Sequence, residues 1–419
     1  MHRTNRTTEA SAALTGLNLF GQPFALDPYP ALEALRRSSP VHHDPNTDLW
    51  LVSRHRDVRT VLLDPRTFLP DNAQRAATPL ARPALRSLAR ARFALPPALA
   101  NNGGPTHQGL RSLVSRFLDA RRVAAAVPLI ERRARQLALG VREQVAAGEQ
   151  CDLVRSFTRV LPCQVLMDLL GIRGVDVETL ADWSEAALEL FWGRPSPERQ
   201  LYLADQAVAF HTWLSARING PAEAGSLIQA LQQHRVPDGT LLDTATAVSV
   251  CFFVFVAGHS TTGQLIATTL RRALEDGRAW ACAASEAGFA EKWSEEVLRR
   301  EPSVTSWRRT AARDAEIGGV TVPAGAQLLL LLMGTGSDTE VFPEPERLCP
   351  HRENTRLHLS FGVGRHRCPG ALLARTETAV ALRTAASLIP ELALVPGQKP
   401  PMLDLLSFRA PRRLLVHLG

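Results

Sequence analysis

The amino-acid sequence predicts a mainly α-helical protein with a minor β lobe. Apolar residues recur at spacings of three and four from Pro105 to about Leu231, as in Leu110, Leu113, Val114 and Phe117, the signature of stacked amphipathic helices. Asp243 to about Leu274 reads as a single long helix, apolar enough to be buried on most of its circumference. Strand-like alternation comes only in short runs, most of them after Pro302.

Taken in order, residues 1–25 are expected to be a flexible extension, with the folded unit starting at residue 26. Tyr29 to Arg37 reads as a short helix, and Val41 to Val52 as a strand pair turning at Asp44-Pro45-Asn46. Between Leu69 and Ala100 the residues Pro70, Pro79, Pro83, Pro96 and Pro97 break any long helix, which predicts a long irregular loop of the kind that often carries function. Helices then dominate to the end of the long apolar one. Trp307 to Ile317, Val320 to Val322 and Leu328 to Leu332, separated by Gly318-Gly319 and Pro323-Ala324-Gly325, describe a small sheet. Asp338 to Leu357 has no period and meanders, and a last helix runs from Ala371 to about Leu388 with Pro369 at its first position. No Gly/Ser linker interrupts the chain, so residues 26–419 are expected to form one domain.

Composition narrows the class. At 419 residues, 45% of them hydrophobic, the chain can bury a large core, which excludes disorder and small stapled folds. The formal charge is +7, but only Lys292 and Lys399 are lysine against 46 arginines, a bias that reads as genomic composition rather than a polyanion site. There is no helix-turn-helix, zinc-ligand spacing or aromatic-basic interleaving, so no nucleic-acid partner is expected. The six cysteines lack any CxxC or framework spacing, which favours a reducing cytoplasm. Residues 1–15 lack a signal-peptide core, and the apolar stretches Ala245–Ala257 and Leu328–Met333 fall short of the ~18 residues a membrane span needs, so no membrane association is expected.

The most informative segment is Phe361-Gly362-Val363-Gly364-Arg365-His366-Arg367-Cys368-Pro369-Gly370. A helix beginning at Pro369 places the Cys368 sulfur at a helix N-terminus, where the dipole favours thiolate. Gly362, Gly364 and Gly370 let backbone lie flush against a flat ligand. A lone thiolate so presented can ligate haem iron. The segment resembles the cysteine-ligand loop of the cytochrome P-450 superfamily, Phe-Gly-x-Gly-x-His-x-Cys-x-Gly, and the chain is similar to that family's soluble bacterial class from about Leu26 onward. The resemblance implies the P-450 fold, a triangular prism of about a dozen helices around one haem with small sheets. It also implies haem b (iron protoporphyrin IX) as cofactor, Cys368 as its iron ligand, and Phe361, Gly362, Gly364 and Gly370 beside it.

Three further motifs match. Glu296 and Arg299 share a helical face and resemble the family's Glu-x-x-Arg, with Arg352 in the place of the meander arginine; the role implied is structural. His107 and Arg111, one helical turn apart, resemble the haem-propionate clamp, together with His366 and Arg309. Arg308 and Arg309 alternate across their strand, so register decides between them. Ala257-Gly258-His259-Ser260-Thr261-Thr262, in the long helix, resembles the oxygen-binding groove: Ala257 and Gly258 permit close approach of the cofactor, and Thr261 takes the place of the family's threonine. Ser260 stands where the family usually has Asp or Glu. Gly336-Ser337-Asp338 also departs from a common Asn-Arg-Asp.

The resemblance implies a monomeric monooxygenase of bacterial secondary metabolism that uses O2, a small organic substrate, and electrons from an external [2Fe-2S] or similar ferredoxin with an NAD(P)H-dependent reductase, since no GxGxxG or flavin segment is present. Ser260 holds no proton reserve at neutral pH. Ser260 and Thr261 ordering a water chain, a substrate group supplying the proton, and coupling or desaturation in place of oxygen insertion are the alternatives this leaves; peroxide-driven turnover and a non-catalytic haem-binding sensor are further readings. Substrate contacts are expected from Arg66 to Gly104, Phe191, Trp192, Phe255, Ala257, Ser260 and Val304 to Trp307. Arg75, Arg82, Arg86, Arg90 and Arg92 could recognise an anionic or carrier-tethered substrate. Arg365, Arg367, Arg116, Arg121 and Arg122 fall on the side where the family receives an acidic electron donor.

Overall fold

Helix starts follow local chemistry. Asp119, Asp176, Ser196 and Asp243 each accept the N–H three residues on, from Arg122, Thr179, Arg199 and Thr246, caps worth about 1 kcal/mol each. The computed structural model describes residues 17–419. Helices α1 (Gln22–Leu26) and α2 (Tyr29–Ser38) precede the hairpin β1 (Val41–Asp44) and β2 (Leu49–Val52); α3 (His55–Leu63), β3 (Phe68–Leu69) and α4 (Arg82–Arg90) follow. The helical body runs α5 (His107–Phe117), α6 (Ala120–Ala146), the short strand β4 (Cys151–Asp152), a π-helical turn at Val154–Thr158, α7 (Val160–Leu170), α8 (Val177–Trp192), α9 (Pro197–Asn219) and α10 (Leu227–Gln232). It continues through α11 (Thr244–Glu275), α12 (Arg278–Ser285) and α13 (Phe289–Arg300). Strands β5 (Trp307–Ala311), β6 (Ala315–Ile317), β7 (Val320–Val322) and β8 (Gln327–Leu330) come next, then α14 (Leu332–Thr335), α15 (Ala371–Leu388), β9 (Leu392–Leu394) and β10 (Leu415–Leu418).

Helix α11 is the axle of the molecule: it packs against α7, α8, α9, α13 and α15, and Phe252, Phe255, Ile266 and Leu270 on it are essentially inaccessible. At 32 residues it is long and apolar enough to cross a bilayer, which the shorter apolar stretches had not suggested, yet 67% of its most apolar window is buried inside the protein. The main sheet has the order β1-β2-β8-β5-β3, with β2 and β8 parallel and the other pairs antiparallel. Its hairpin comes from the start of the chain and its centre from residues 307–330. A second sheet, β4-β10-β9, joins mid-chain to the C-terminus.

Three expectations are corrected. Leu17 and Leu19 are each 6% exposed and pack with Leu32, Leu35, Leu329 and Met333, so packing begins before residue 26; residues 1–16 of the expected extension lie outside the described residues. The loop between Leu69 and Ala100 contains α4, because Pro83 falls in its first turn, where a missing N–H costs nothing. Helix α15 opens at Ala371 with Gly370 as its cap, so Pro369 precedes the helix.

Candidate active site

The Cys368 loop is a tight backbone coil. Cys368 donates its N–H to the Phe361 carbonyl at 2.8 Å, Arg367 to that of Gly364 at 3.1 Å, and Gly362 to that of Leu359 at 2.8 Å. Gly362 and Gly364 sit at φ +66° and +76°, the left-handed region that a β-carbon disfavours. Behind the loop, the Arg375 guanidinium covers the Phe361 ring at 4.5 Å and forks onto Glu295 at 2.6 and 2.7 Å, while His358 meets the same carboxylate at 3.0 Å. Burial alone would raise the pKa of Glu295, but the hydrogen bonds from Arg375 and His358 outweigh it and hold the carboxyl at about 2. Burial pushes the Cys368 thiol up, against the pull of the Gly370 N–H and of Arg111, Arg375 and Arg367. The expected dipole effect on the sulfur is therefore overridden: the helix starts three residues on, and a metal rather than the helix would deprotonate the sulfur.

Beside it stands a cluster of donors. The His107 and His366 rings lie 4.5 Å apart, Arg365 Nε donates to His107 Nδ1 at 3.2 Å, and Arg111 donates to the Arg367 carbonyl at 2.6 Å. Burial and the neighbouring arginines drop His107 to about 4 and His366 to about 3, so both are neutral near pH 7. Register separates the two strand arginines. Arg308 turns to the backbone carbonyls of Ala73 and Arg75, whereas Arg309 is 2% exposed, acts on His366 through its charge, and has burial as the cause that lowers its pKa to about 10. Its hydrogen bond is to the Arg308 carbonyl at 2.8 Å, and the buried Nε2 of His366 has no partner among the described residues. A buried arginine without a carboxylate, beside half-buried Arg111, an orphaned ring nitrogen and a sulfur, fits an iron-bearing group with two acidic arms.

The α11 motif divides by helical face. Ala257 is exposed amid buried neighbours, and Thr261, one turn on, is half-buried with its hydroxyl donating to the Ala257 carbonyl at 2.6 Å. Gly258 does something other than admit a ligand: a β-carbon there would meet the Leu166 side chain at 2.8 Å, so its smallness serves the crossing with α7. Ser260 is likewise not on the exposed face. It is 6% exposed, 3.0 Å from Ser184 Oγ of α8 and 3.5 Å from His259 Nδ1. Because His259 Nε2 lies 3.0 Å from the Arg159 carbonyl and must donate to it, Nδ1 is left as the acceptor for Ser260. Arg159 in turn meets Glu178, Asp182 and Glu185 of α8.

Glu296 and Arg299, both fully buried, form a two-pronged pair at 2.9 and 2.8 Å. Arg352 adds its Nε to Glu296 at 2.9 Å and reaches the carbonyls of Pro343, Glu344 and Arg347. The three converge as a staple for the meander. A β-carbon on Gly370 would sit 4.0 Å from the Cys368 sulfur. Trp192, stacked on Trp307 and edge-on to Phe408, and Phe255, stacked on His259, are core residues rather than open lining. Ser184 and His259 were not singled out from sequence, and Arg365 was marked only for partner docking and not for its bond to His107; nothing local marks these roles, since each acts through a partner on a distant element.

Known proteins resemble this chain in sequence and in fold. A family model described as Cytochrome P-450 matches residues 242–402. The chain is 31% identical over 400 residues to the cytochrome P-450 monooxygenase PikC of Streptomyces venezuelae, covering 94% of this chain and 91% of that protein. The chain belongs to the cytochrome P-450 family. This P-450 is also 32% identical over 413 residues to nocardicin C N-oxygenase of Nocardia uniformis subsp. tsuyamanensis, covering 95% of this chain and 97% of the relative. Among solved structures, cytochrome P-450 CREJ in complex with (4-ethylphenyl) dihydrogen phosphate superposes with a TM-score of 0.89 at 27% identity, over 96% of this chain and 99% of that one. The P-450 is thus a haem-dependent monooxygenase, and its relatives are bacterial oxygenases.

Proposed function

We propose that Cys368 is the axial iron ligand, that His107, Arg111, Arg309 and His366 bind the haem propionates, and that the Ala257–Thr261 face of α11 forms the oxygen and substrate side. The observation that carries this reading is the buried, carboxylate-free cluster around Arg309 and the orphaned His366 Nε2 next to the Cys368 loop. Bound there, the haem supplies activation of O2 for oxidation of a small organic substrate. The residues then divide the work. Glu295 and Arg375 hold the Cys368 loop from behind through Phe361, and Glu296, Arg299 and Arg352 fix the meander that leads to it.

Proton handling at the groove falls to Thr261. Its hydroxyl donates to the Ala257 carbonyl and by rotating can pass a proton into the groove. Ser260, bonded towards Ser184 and His259, holds no proton for the reaction. Electrons come from a separate ferredoxin and reductase docking over exposed Arg116, Arg121, Arg365 and Arg367, in a cytoplasmic, monomeric enzyme folded as one domain. The reduced, CO-bound absorption spectrum tests the reading: a Soret band of thiolate ligation in the wild type, lost in Cys368→Ser, is the expected result. Its persistence in that variant would sink the assignment.

A further inference from the structure

Helix α4 carries Arg82, Arg86 and Arg90, with Arg92 just beyond it and no acidic residue between. All four are exposed. The spacing of four sets the first three in one stripe, rising roughly 6 Å per step and 12 Å in all. On α9 across the groove Leu201 is 36% exposed; Leu85 and Tyr202, each 50% exposed, lie outside the groove's lining. The groove between the two helices is open, offers about 610 Å³, and is lined by Arg86, Arg90, Leu201, Val208 and one carboxylate, Asp205, which already accepts the Ser87 hydroxyl at 2.5 Å. Beyond α4 the chain is anchored over the first half of α11: Phe93 packs edge-on to Phe252 with centroids 6.1 Å apart, and Ser249 donates to the Pro96 carbonyl at 2.7 Å.

We propose that this α4–α9 face docks an acidic helix of a second protein that presents the substrate to the enzyme; the proposal rests on the placement of the reaction on the Ala257 side of α11. A small anion is bound by donors that converge and exclude water, whereas this stripe is about 12 Å long and wholly exposed. Its match is a helix with carboxylates at the same four-residue pitch. Pro83, Leu201 and Val208 supply the apolar centre, and the arginines the charged rim, of a protein interface. The face abuts α9 and the start of α11, not the Arg365 and Arg367 loop, so its occupant supplies substrate rather than electrons.

The test uses the haem-loaded enzyme and an acyl-loaded acyl carrier protein, a small acidic helical protein, as the probe. Binding is expected at about 20 mM salt and largely lost at about 300 mM. Arg86→Glu/Arg90→Glu is expected to weaken binding by at least about tenfold, while Arg86→Lys/Arg90→Lys keeps most of it. Both variants should keep the wild-type CO spectrum and rate of reduction by ferredoxin. Absence of carrier binding at low salt, equal loss of ferredoxin-driven reduction, or displacement of the carrier by millimolar octanoate would each overturn the proposal. The wild-type CO spectrum judges the Cys368 reading separately.

Discussion

Glu377 sits fully buried on α15 with neither carboxylate oxygen hydrogen-bonded among the described residues, and burial raises it to about 8. An acid whose pKa is higher folded than unfolded contributes stability that is complete below its ordinary value of 4.5 and is lost as pH climbs to about 8. Glu377→Gln should therefore melt close to wild type at acidic pH and above it in alkali, the gap reaching on the order of a few kcal/mol. Thermal unfolding of both proteins across that range checks the sign; a constant gap would refute it. At Gly336 the constraint is steric: a β-carbon would stand 1.9 Å from the Arg299 carbonyl, while the Arg299 side chain donates to the Gly336 carbonyl. Gly336→Ala should cost at least ~3 kcal/mol and lower haem content, as measured by melting and by haem per chain. The sequence showed Gly336-Ser337-Asp338 as a departure without a reason, because the reason lies in Arg299, in the last turn of α13. Cys368 and the Glu296 pair were legible because their chemistry is written within a few residues.

Within elements, α11 shows how face decides function. The period of its apolar residues located it to within a residue at each end, and its Asp243 cap was in place. The direction of Ser260 was not legible, since position within a motif does not say which neighbouring helix the side chain meets. Ser260→Asp is expected to leave product formed per NADH unchanged, because the new carboxylate would point at Ser184 instead of the groove; a clear rise in coupling would show that residue 260 does supply protons. Gly263 marks the opposite constraint. Its α-carbon passes so close to the π-helical turn that a β-carbon would meet the Thr158 carbonyl at 2.7 Å. Gly263→Ala should push that turn away and cost roughly 1–3 kcal/mol, seen as a lower melting temperature with an unshifted CO band.

For the molecule as a whole, charge is arranged on two separate faces. The stripe of α4 looks out beside α9, and Arg365 and Arg367 flank the Cys368 loop, both exposed although Arg365 donates to the Gly104 carbonyl and the Arg367 carbonyl accepts from Arg111 of α5. Arg367→Glu should slow ferredoxin-driven turnover more at low ionic strength than at high, because a rim charge acts through steering that salt screens. Equal loss at both would count against docking there. The helical class and the small sheet were legible from periodicity. The partnership of the N-terminal hairpin with residues 307–330 was not, since pairing across such a distance leaves no local trace.

That partnership sets a clock on biosynthesis. Strand β2 pairs with β8, and β4 with β10 at the C-terminal end, so each early strand waits for more than half the chain to be made. At ~5–20 residues per second the wait is tens of seconds. Through that interval the edges of β2 and β4 are open for mispairing, and the Cys368 loop, residues 361–370, cannot close until those residues have been made. Slowing late translation should lengthen that exposure and shift product from haem-loaded enzyme to aggregate, without altering a single contact of the finished fold.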